Sequence, residues 1–159
     1  MSASGEIERF VRLHALEVDY WYAVDRRQGT GAEEFYTEEG IFVVGSETMR
    51  GRDEVAAFYR WRASRGERTA RHCVSNPRLS ASGENAATFE CVMQLFADDG
   101  VPVLESKPAI MIADVRSDCV LVDGRWLFKA HVLTPIFTGG TPATVPSRAQ
   151  LLDTLTVQN

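Results

Sequence analysis

Histidine is scarce in this chain. Its 159 residues include three, His14, His72 and His131, and no two stand at the spacing of a metal site. No HExxH or CxxC pattern accompanies them, so neither a structural nor a catalytic metal is expected. Cysteine is equally sparse: Cys73, Cys91 and Cys119 form an odd set. All three lie in apolar, strand-like sequence, where a free cysteine behaves as a small hydrophobe. There is no GxGxxG after a strand, no P-loop and no GxSxG elbow, which removes nucleotide cofactors and serine-hydrolase chemistry. No cofactor is expected. No apolar run approaches the roughly 18 residues of a membrane span. Glu6, Glu8, Arg9 and Arg12 charge the first helical pattern, where a secretory signal would be apolar. A cytoplasmic, reduced protein without a membrane partner is expected. An excess of cations is missing too, since 17 Lys and Arg face 22 Asp and Glu for a net charge of −5. Nucleic-acid binding draws its affinity from clustered cations, so that partner is excluded. The run Arg60–Arg71, interleaved with Glu67, reads as a solvated helix end and loop.

The composition, 45% hydrophobic and 25% charged, is that of an ordinary globular protein. The length suits one domain, and a chain this size buries roughly 70% of its unfolded surface, enough for a core and a pocket. Residues 6–26 read as one helix with Ile7, Val11, His14, Val18, Trp21 and Asp25 on a single face. Glu6, Glu8, Arg9, Glu17 and Asp19 form the polar remainder. Gly29 and Gly31 break the pattern. A short helical piece at Ala32–Tyr36, a strand at Ile41–Val44 and a helix at Arg52–Ala63 follow, the last with Val55, Phe58, Tyr59 and Arg62 inward.

From Thr69 the hydrophobic period falls to two. Strands are expected at Thr69–Leu79, Ala86–Ala97, Val101–Glu105, Ala109–Val115, Val120–Val122 and Arg125–Leu133. Ser82-Gly83, Asp99-Gly100 and Asp123-Gly124 carry hairpin-tip chemistry. Helices followed by long hairpins predict an α+β fold, with N-terminal helices packed on a curved, mostly antiparallel sheet that encloses a pocket. Residues 1–137 form that domain. The tail 138–159, with Leu151, Leu152 and Leu155, either caps the pocket mouth or docks on a neighbouring subunit. Ala109–Val115 is apolar on both sides, so the outer sheet face calls for cover by a homo-oligomer, trimer or dimer.

Two ionisable residues stand where apolar ones are expected. Asp25 ends the buried stripe of the first helix, and the macrodipole disfavours an acid there. Arg26 and Arg27 are adjacent to it and face away. His72 shares one strand face with Ala70, Val74 and Asn76, and its small or apolar neighbours point it inward. His131 lies in the last strand, facing away from Trp126 and Phe128, at a pocket wall or rim.

Ala23-Val-Asp-Arg-Arg-Gln28, the stretch Arg71–Asn76 and Asp123-Gly-Arg-Trp126 together resemble the SnoaL-like branch of the NTF2-like superfamily, over about residues 7–137. The likeness runs to hexachlorocyclohexane dehydrochlorinases and, more distantly, to scytalone dehydratases and bile-acid 7α-dehydratases. These are cofactor-free lyases with an Asp–His dyad inside an α+β cone. The resemblance implies Asp25 and His72 as that dyad. It also implies Tyr20, five residues before Asp25, as a hydroxyl donor, whereas helical geometry brings Tyr22 nearer. His131 falls where the dehydrochlorinases have arginine, and Met93 near the second histidine of scytalone dehydratases. Both departures count against those enzymes' own substrates.

The implied chemistry is proton abstraction from carbon with loss of a neighbouring leaving group. His72 would be the base, Asp25 its tautomer-fixing partner, and Tyr20 the donor to a leaving hydroxyl or carbonyl. His131 and Asn76 would position polar groups. Trp21, Phe42, Phe58, Met93, Met111 and Phe128 would wall an apolar cavity for a small hydrophobic molecule, alicyclic, aromatic or steroid-sized. An isomerase or polyketide-type cyclase could use the same base, and a non-catalytic binding or assembly module is the third reading. The resemblance implies a trimer.

Overall fold

A computed structural model describes residues 3–139 and 145–156. Helix α1 (Ala3–Arg27) leads through a 3₁₀ turn (Ala32–Phe35) to strands β1 (Tyr36–Val44) and β2 (Glu47–Arg50). Helix α2 (Gly51–Ser64) precedes four long strands, β3 (Arg68–Ser82), β4 (Ala86–Asp99), β5 (Met111–Val122) and β6 (Arg125–Thr138). Helix α3 (Arg148–Thr156) closes the described chain. The six strands form one open sheet in the order β2-β1-β6-β5-β4-β3, antiparallel except where β1 runs parallel to β6. Helices α1 and α2 cover its inner face, as the α+β reading requires.

Two expected turns close hairpins. Asp123 and Gly124 take φ 48° and 78°, the positive pair of a two-residue tip joining β5 to β6. The Gly83 amide donates to the Ala86 carbonyl at 2.7 Å between β3 and β4. Asp99-Gly100 closes none. Val101–Glu105 is irregular rather than a strand, with Val103 99% exposed. Pro102 within this stretch and Pro108 just beyond it have no amide to give a ladder. The two strands expected at Ala109–Val115 and Val120–Val122 are one, β5, which stays paired with β4 through Ser117 and Asp118. Strand β1 starts five residues earlier than expected, and β2 pairs it through a short turn at Gly45 that the reading passed over.

The first helix is turned about its axis relative to expectation. Its buried positions are Leu13, Leu16, Glu17, Tyr20, Trp21 and Ala23, while Ile7, Val11 and Val18 are exposed. Glu17, assigned to the polar face, is fully buried. Counting apolar side chains misses the true stripe because a carboxylate sits in the middle of it.

The outer sheet face mixes charged and apolar side chains, and Phe137, opposite Ile112 of β5, is 64% exposed. Asp114 and Arg116 of β5 are exposed, and Arg116 bonds Glu90 and Asp118 at 3.3 Å each. The ion pairs lie along β5 beyond Val115. Cys73 is exposed, whereas Cys91 and Cys119 are buried and burial pushes both thiols up. Residues 145–156 of the tail pack back on the chain. Leu151 is buried, Leu152 is half-exposed, and Arg148 makes two bonds of 2.7 and 2.8 Å to Glu54 of α2.

Gly29 and Gly31 separate backbone strain from packing. Both take φ near +79° (78° and 79°), but a Cβ on Gly29 would lie 2.2 Å from the Tyr59 ring, and one on Gly31 would meet nothing. Gly31→Ala should cost about 1 kcal/mol from conformation alone. Gly29→Ala should cost about 3 kcal/mol or more, because α2 must also retreat. Urea denaturation of both variants checks this. Equal losses would mean that Tyr59 does not press against the turn.

Candidate active site

Asp25 stands in the last turn of α1, and His72 stands near the start of β3, which α1 crosses. The Asp25 carboxylate grips this histidine twice. His72 donates its ring Nδ1–H to Oδ1 at 2.7 Å and its backbone N–H to Oδ2 at 2.8 Å. A carboxylate only accepts, so Nδ1 carries the proton, and in a neutral imidazole Nε2 then keeps its lone pair. Both side chains are nearly covered, at 7% and 9% exposure. The indole of Trp21, one turn before Asp25, lies flat on the imidazole, with centroids 4.1 Å apart and planes at 12°. Nε2 has no hydrogen-bond partner among the described residues and belongs to a ring that lines an apolar cavity of about 80 Å³.

Trp21, Phe42, Phe58, Met93 and Met111 line that cavity together with Asp25 and His72. Phe128 does not; it lies deeper, stacked at 4.3 Å on His131. These two share an inner face although strict alternation separates them. Lys129 forms a bulge against β5, since Cys119 pairs with Phe128 and Asp118 with Ala130, and the extra residue resets the phase. Asn76 also leaves its expected place. It sits at φ 51° where β3 bulges, is exposed, and lines a separate surface hollow.

Neither tyrosine of α1 lines the cavity. Tyr22 is 62% exposed beneath the Arg26 guanidinium, and Tyr20 is fully buried in the aromatic centre of the core. In a helix the residue one turn before Asp25 is Trp21, with Tyr22 rotated outward and Tyr20 inward. The tyrosine on the cavity wall is Tyr59 of α2, whose hydroxyl shares a hydrogen with that of Tyr20. Its inward heptad-like position beside Val55 and Phe58 was legible, but nothing local in the sequence pairs it with Asp25. Arg62 and Arg68 also line the cavity, and both reach Asp99, at 3.2 and 3.3 Å. The segment read as solvated therefore covers these two side chains, at 14% and 8% exposure.

His131 is sealed behind the cavity in a second acid–histidine pair that the sequence reading missed. Its Nε2 lies 2.9 Å from Glu17 Oε1, and its Nδ1 lies 2.9 Å from the Tyr36 hydroxyl. Glu17 also accepts the Trp21 indole N–H at 2.8 Å and the Ser117 hydroxyl at 3.0 Å. Burial raises the Glu17 carboxyl, but the His131 charge and these hydrogen bonds outweigh it and hold the group below its ordinary range. Burial lifts the hydroxyls of Tyr20, Tyr36 and Tyr59 well above their ordinary range, so all three keep their protons.

A family model described as a SnoaL-like domain matches residues 6–132. No curated protein sequence matches the chain. Among solved structures, a function-unknown protein from Mycobacterium tuberculosis superposes with TM-score 0.74 at 16% identity, over 99% of this chain and 92% of that one. A putative scytalone dehydratase from Novosphingobium aromaticivorans gives 0.70 at 18%, over 89% and 93%. ActVI-ORFA from Streptomyces coelicolor gives 0.70 at 16%, over 80% and 97%. These likenesses are of fold.

Because the folded state holds Glu17 ionised below its ordinary value of 4.5, its contribution is whole above that value and fades as pH falls through the lower folded one. Glu17→Gln should cost about 3–5 kcal/mol at neutral pH by stranding His131. The gap between wild type and variant should then narrow as pH drops below 4.5. Urea midpoints across that range test it. A gap that stays constant into acid would show that the buried carboxyl is neutral.

Proposed function

The chain belongs to the SnoaL-like domain family, and from that premise we propose that it is a cofactor-independent lyase that eliminates water or hydrogen halide from a small cyclic substrate. The family includes dehydratases, cyclases and isomerases. The observation that carries the choice is the Asp25–His72 pair with its free Nε2 turned to an apolar cavity. A purely structural pair would have protein groups on every polar atom and no space beside it.

His72 Nε2 takes a proton from substrate carbon. The imidazolium that forms is held by Asp25, whose second oxygen on the His72 backbone keeps the ring from rotating away. Trp21 adds a flat wall that favours the cation as it develops. Tyr59, rather than Tyr20 or Tyr22, donates to the leaving group or to an adjacent carbonyl. In a water-poor cavity such a donor counts for more than it would in solution. Isomerisation would use the same base and return the proton to carbon.

The cavity supports a small substrate. A volume of about 80 Å³ favours a ligand smaller than a steroid. A single ring enters if the flexible side chains Met93 and Met111 give way. A substrate at the small alicyclic end of the range suits this reading.

A panel of β-hydroxylated and β-halogenated cyclohexanones, read by product mass, tests the reading. Elimination loses water or hydrogen halide, and isomerisation conserves mass. On any substrate turned over, His72→Ala and Asp25→Asn should each lower kcat on the order of 10³-fold with the fold intact by circular dichroism. Tyr59→Phe should lower it about a hundredfold, and Tyr22→Phe should leave it unchanged. Near-wild-type turnover in Asp25→Asn would rule out the dyad.

A further inference from the structure

The cavity that His72 borders is apolar over most of its wall and cationic where the ends of three elements meet. Arg62 stands in the last turn of α2, Arg68 opens β3, and Asp99 ends β4 directly opposite Arg68. Both arginines line the cavity, and their guanidiniums converge on one atom outside it. Arg62 Nη2 donates to Asp99 Oδ1 at 3.2 Å, and Arg68 Nη1 donates to the same oxygen at 3.3 Å. The periodicity of each element ties these cations to the site. Phe58, Tyr59 and Arg62 share one side of α2, a helical turn in length. Arg68, Ala70 and His72 share one face of β3. One helix thus supplies Tyr59 and Arg62, and one strand supplies His72 and Arg68.

A clamp between α2 and the sheet does not account for this arrangement. Asp99 offers one oxygen to two cations and is itself half-exposed. Burial, and then the nearby Arg68 charge, push Arg62 below its usual range, yet a guanidinium stays protonated. Arg62 Nε is buried and has no hydrogen-bond partner among the described residues, which costs stability that an acceptor would restore. Neighbouring carboxylates are otherwise engaged. Asp25 spends both oxygens on His72, and Asp98 is held by Lys107.

We propose that Arg62 and Arg68 form the anion-recognising end of this site, and that its ligand is a small ring carrying a carboxylate. The ring lies against the aromatic and methionine wall, and the carboxylate sits on the two guanidiniums. This rests on the elimination reading for the reacting end and adds what the molecule must carry at the other. A guanidinium presents a planar fork of N–H donors that matches the two oxygens of a carboxylate. Four residues of strand separate Arg68 from His72, about 13 Å between Cα atoms. Once the arginine's own length is taken off, a six-membered ring with a carboxylate arm bridges that interval. The arginines hold the arm and touch no reacting atom, so they set affinity and KM.

Calorimetric titration of the full chain with cyclohexanecarboxylate, and with cyclohexanecarboxamide as its neutral counterpart of nearly the same shape, tests this without turnover. The carboxylate should bind about tenfold more tightly or better, the worth of one hydrogen bond to a charged group. Arg62→Gln should remove that preference and leave carboxamide affinity unchanged, with the fold checked by circular dichroism. Should that variant fail to fold, Arg68→Gln carries the same comparison. Equal affinities in the wild-type protein, no binding of the carboxylate, or a preference that survives both substitutions overturns the proposal. His72→Ala keeps the two readings apart, since it should cost turnover and retain the carboxylate preference. A preference without elimination on any substrate would sink the lyase reading alone, and elimination without a preference would sink the anion end alone.

Discussion

A carboxylate that never meets water organises this molecule. Glu17 sits in the middle of α1, and its oxygens gather the indole of Trp21, the hydroxyl of Ser117 on β5 and the imidazole of His131 on β6. Helix and sheet are thereby tied at one point by charge-assisted bonds, which are stronger than neutral ones. The cost of burying the charge makes the arrangement unforgiving, because each partner must stay in place for the carboxylate to be tolerated. That fixed point also reaches the cavity. Trp21 cannot turn without losing its bond to Glu17, and its ring is the surface against which His72 lies.

The Asp25–His72 pair inherits its geometry from this tie. Asp25 fixes the edge of His72 and Trp21 fixes its face, so backbone contact, ring contact and stacking together leave the imidazole one orientation. Such over-determination suits a base that must point one nitrogen at carbon. The aromatic centre around Tyr20 adds stiffness, with Trp21, Phe35, Tyr36, Phe42, Phe128 and His131 packed at its edges and faces. Apolar rings alone would give a stable core. The hydroxyl and imidazole groups among them specify which way each ring faces.

What the sequence revealed and what it concealed follow from the same physics. Hairpin tips are local, so Asp123-Gly124 was readable from two residues. Asp25 and His72 were readable as charges at inward positions, and the fold does bring them to 2.7 Å. Glu17 obeys the same rule but was hidden, because its helix also carries a decoy stripe, Ile7, Val11 and Val18, that stays exposed. Bulges defeated strict alternation twice, moving Asn76 out of the cavity wall and turning His131 and Phe128 to the same side. The replacement of Tyr20 by Tyr59 at the wall depends on how α2 seats against α1, a tertiary distance with no local signature. Gly29 allows that seating, since a side chain there would collide with Tyr59.

One helix carries the acids of both pairs. Glu17, Trp21 and Asp25 recur at four-residue steps, so they line one side of α1 with the two carboxylates about 12 Å apart along the axis. At that distance the charges interact weakly enough to keep separate roles, yet both engage Trp21's neighbourhood. The difference between the pairs is access. Asp25 ends the helix where the cavity opens, so its histidine keeps a free nitrogen, whereas Glu17 lies mid-helix and its histidine has both nitrogens bonded. The same acid–imidazole pairing keeps a nitrogen open where it meets the cavity and anchors the core where it is enclosed. A single helix that runs from core to cavity provides both positions, and the fold needs no further element to separate them.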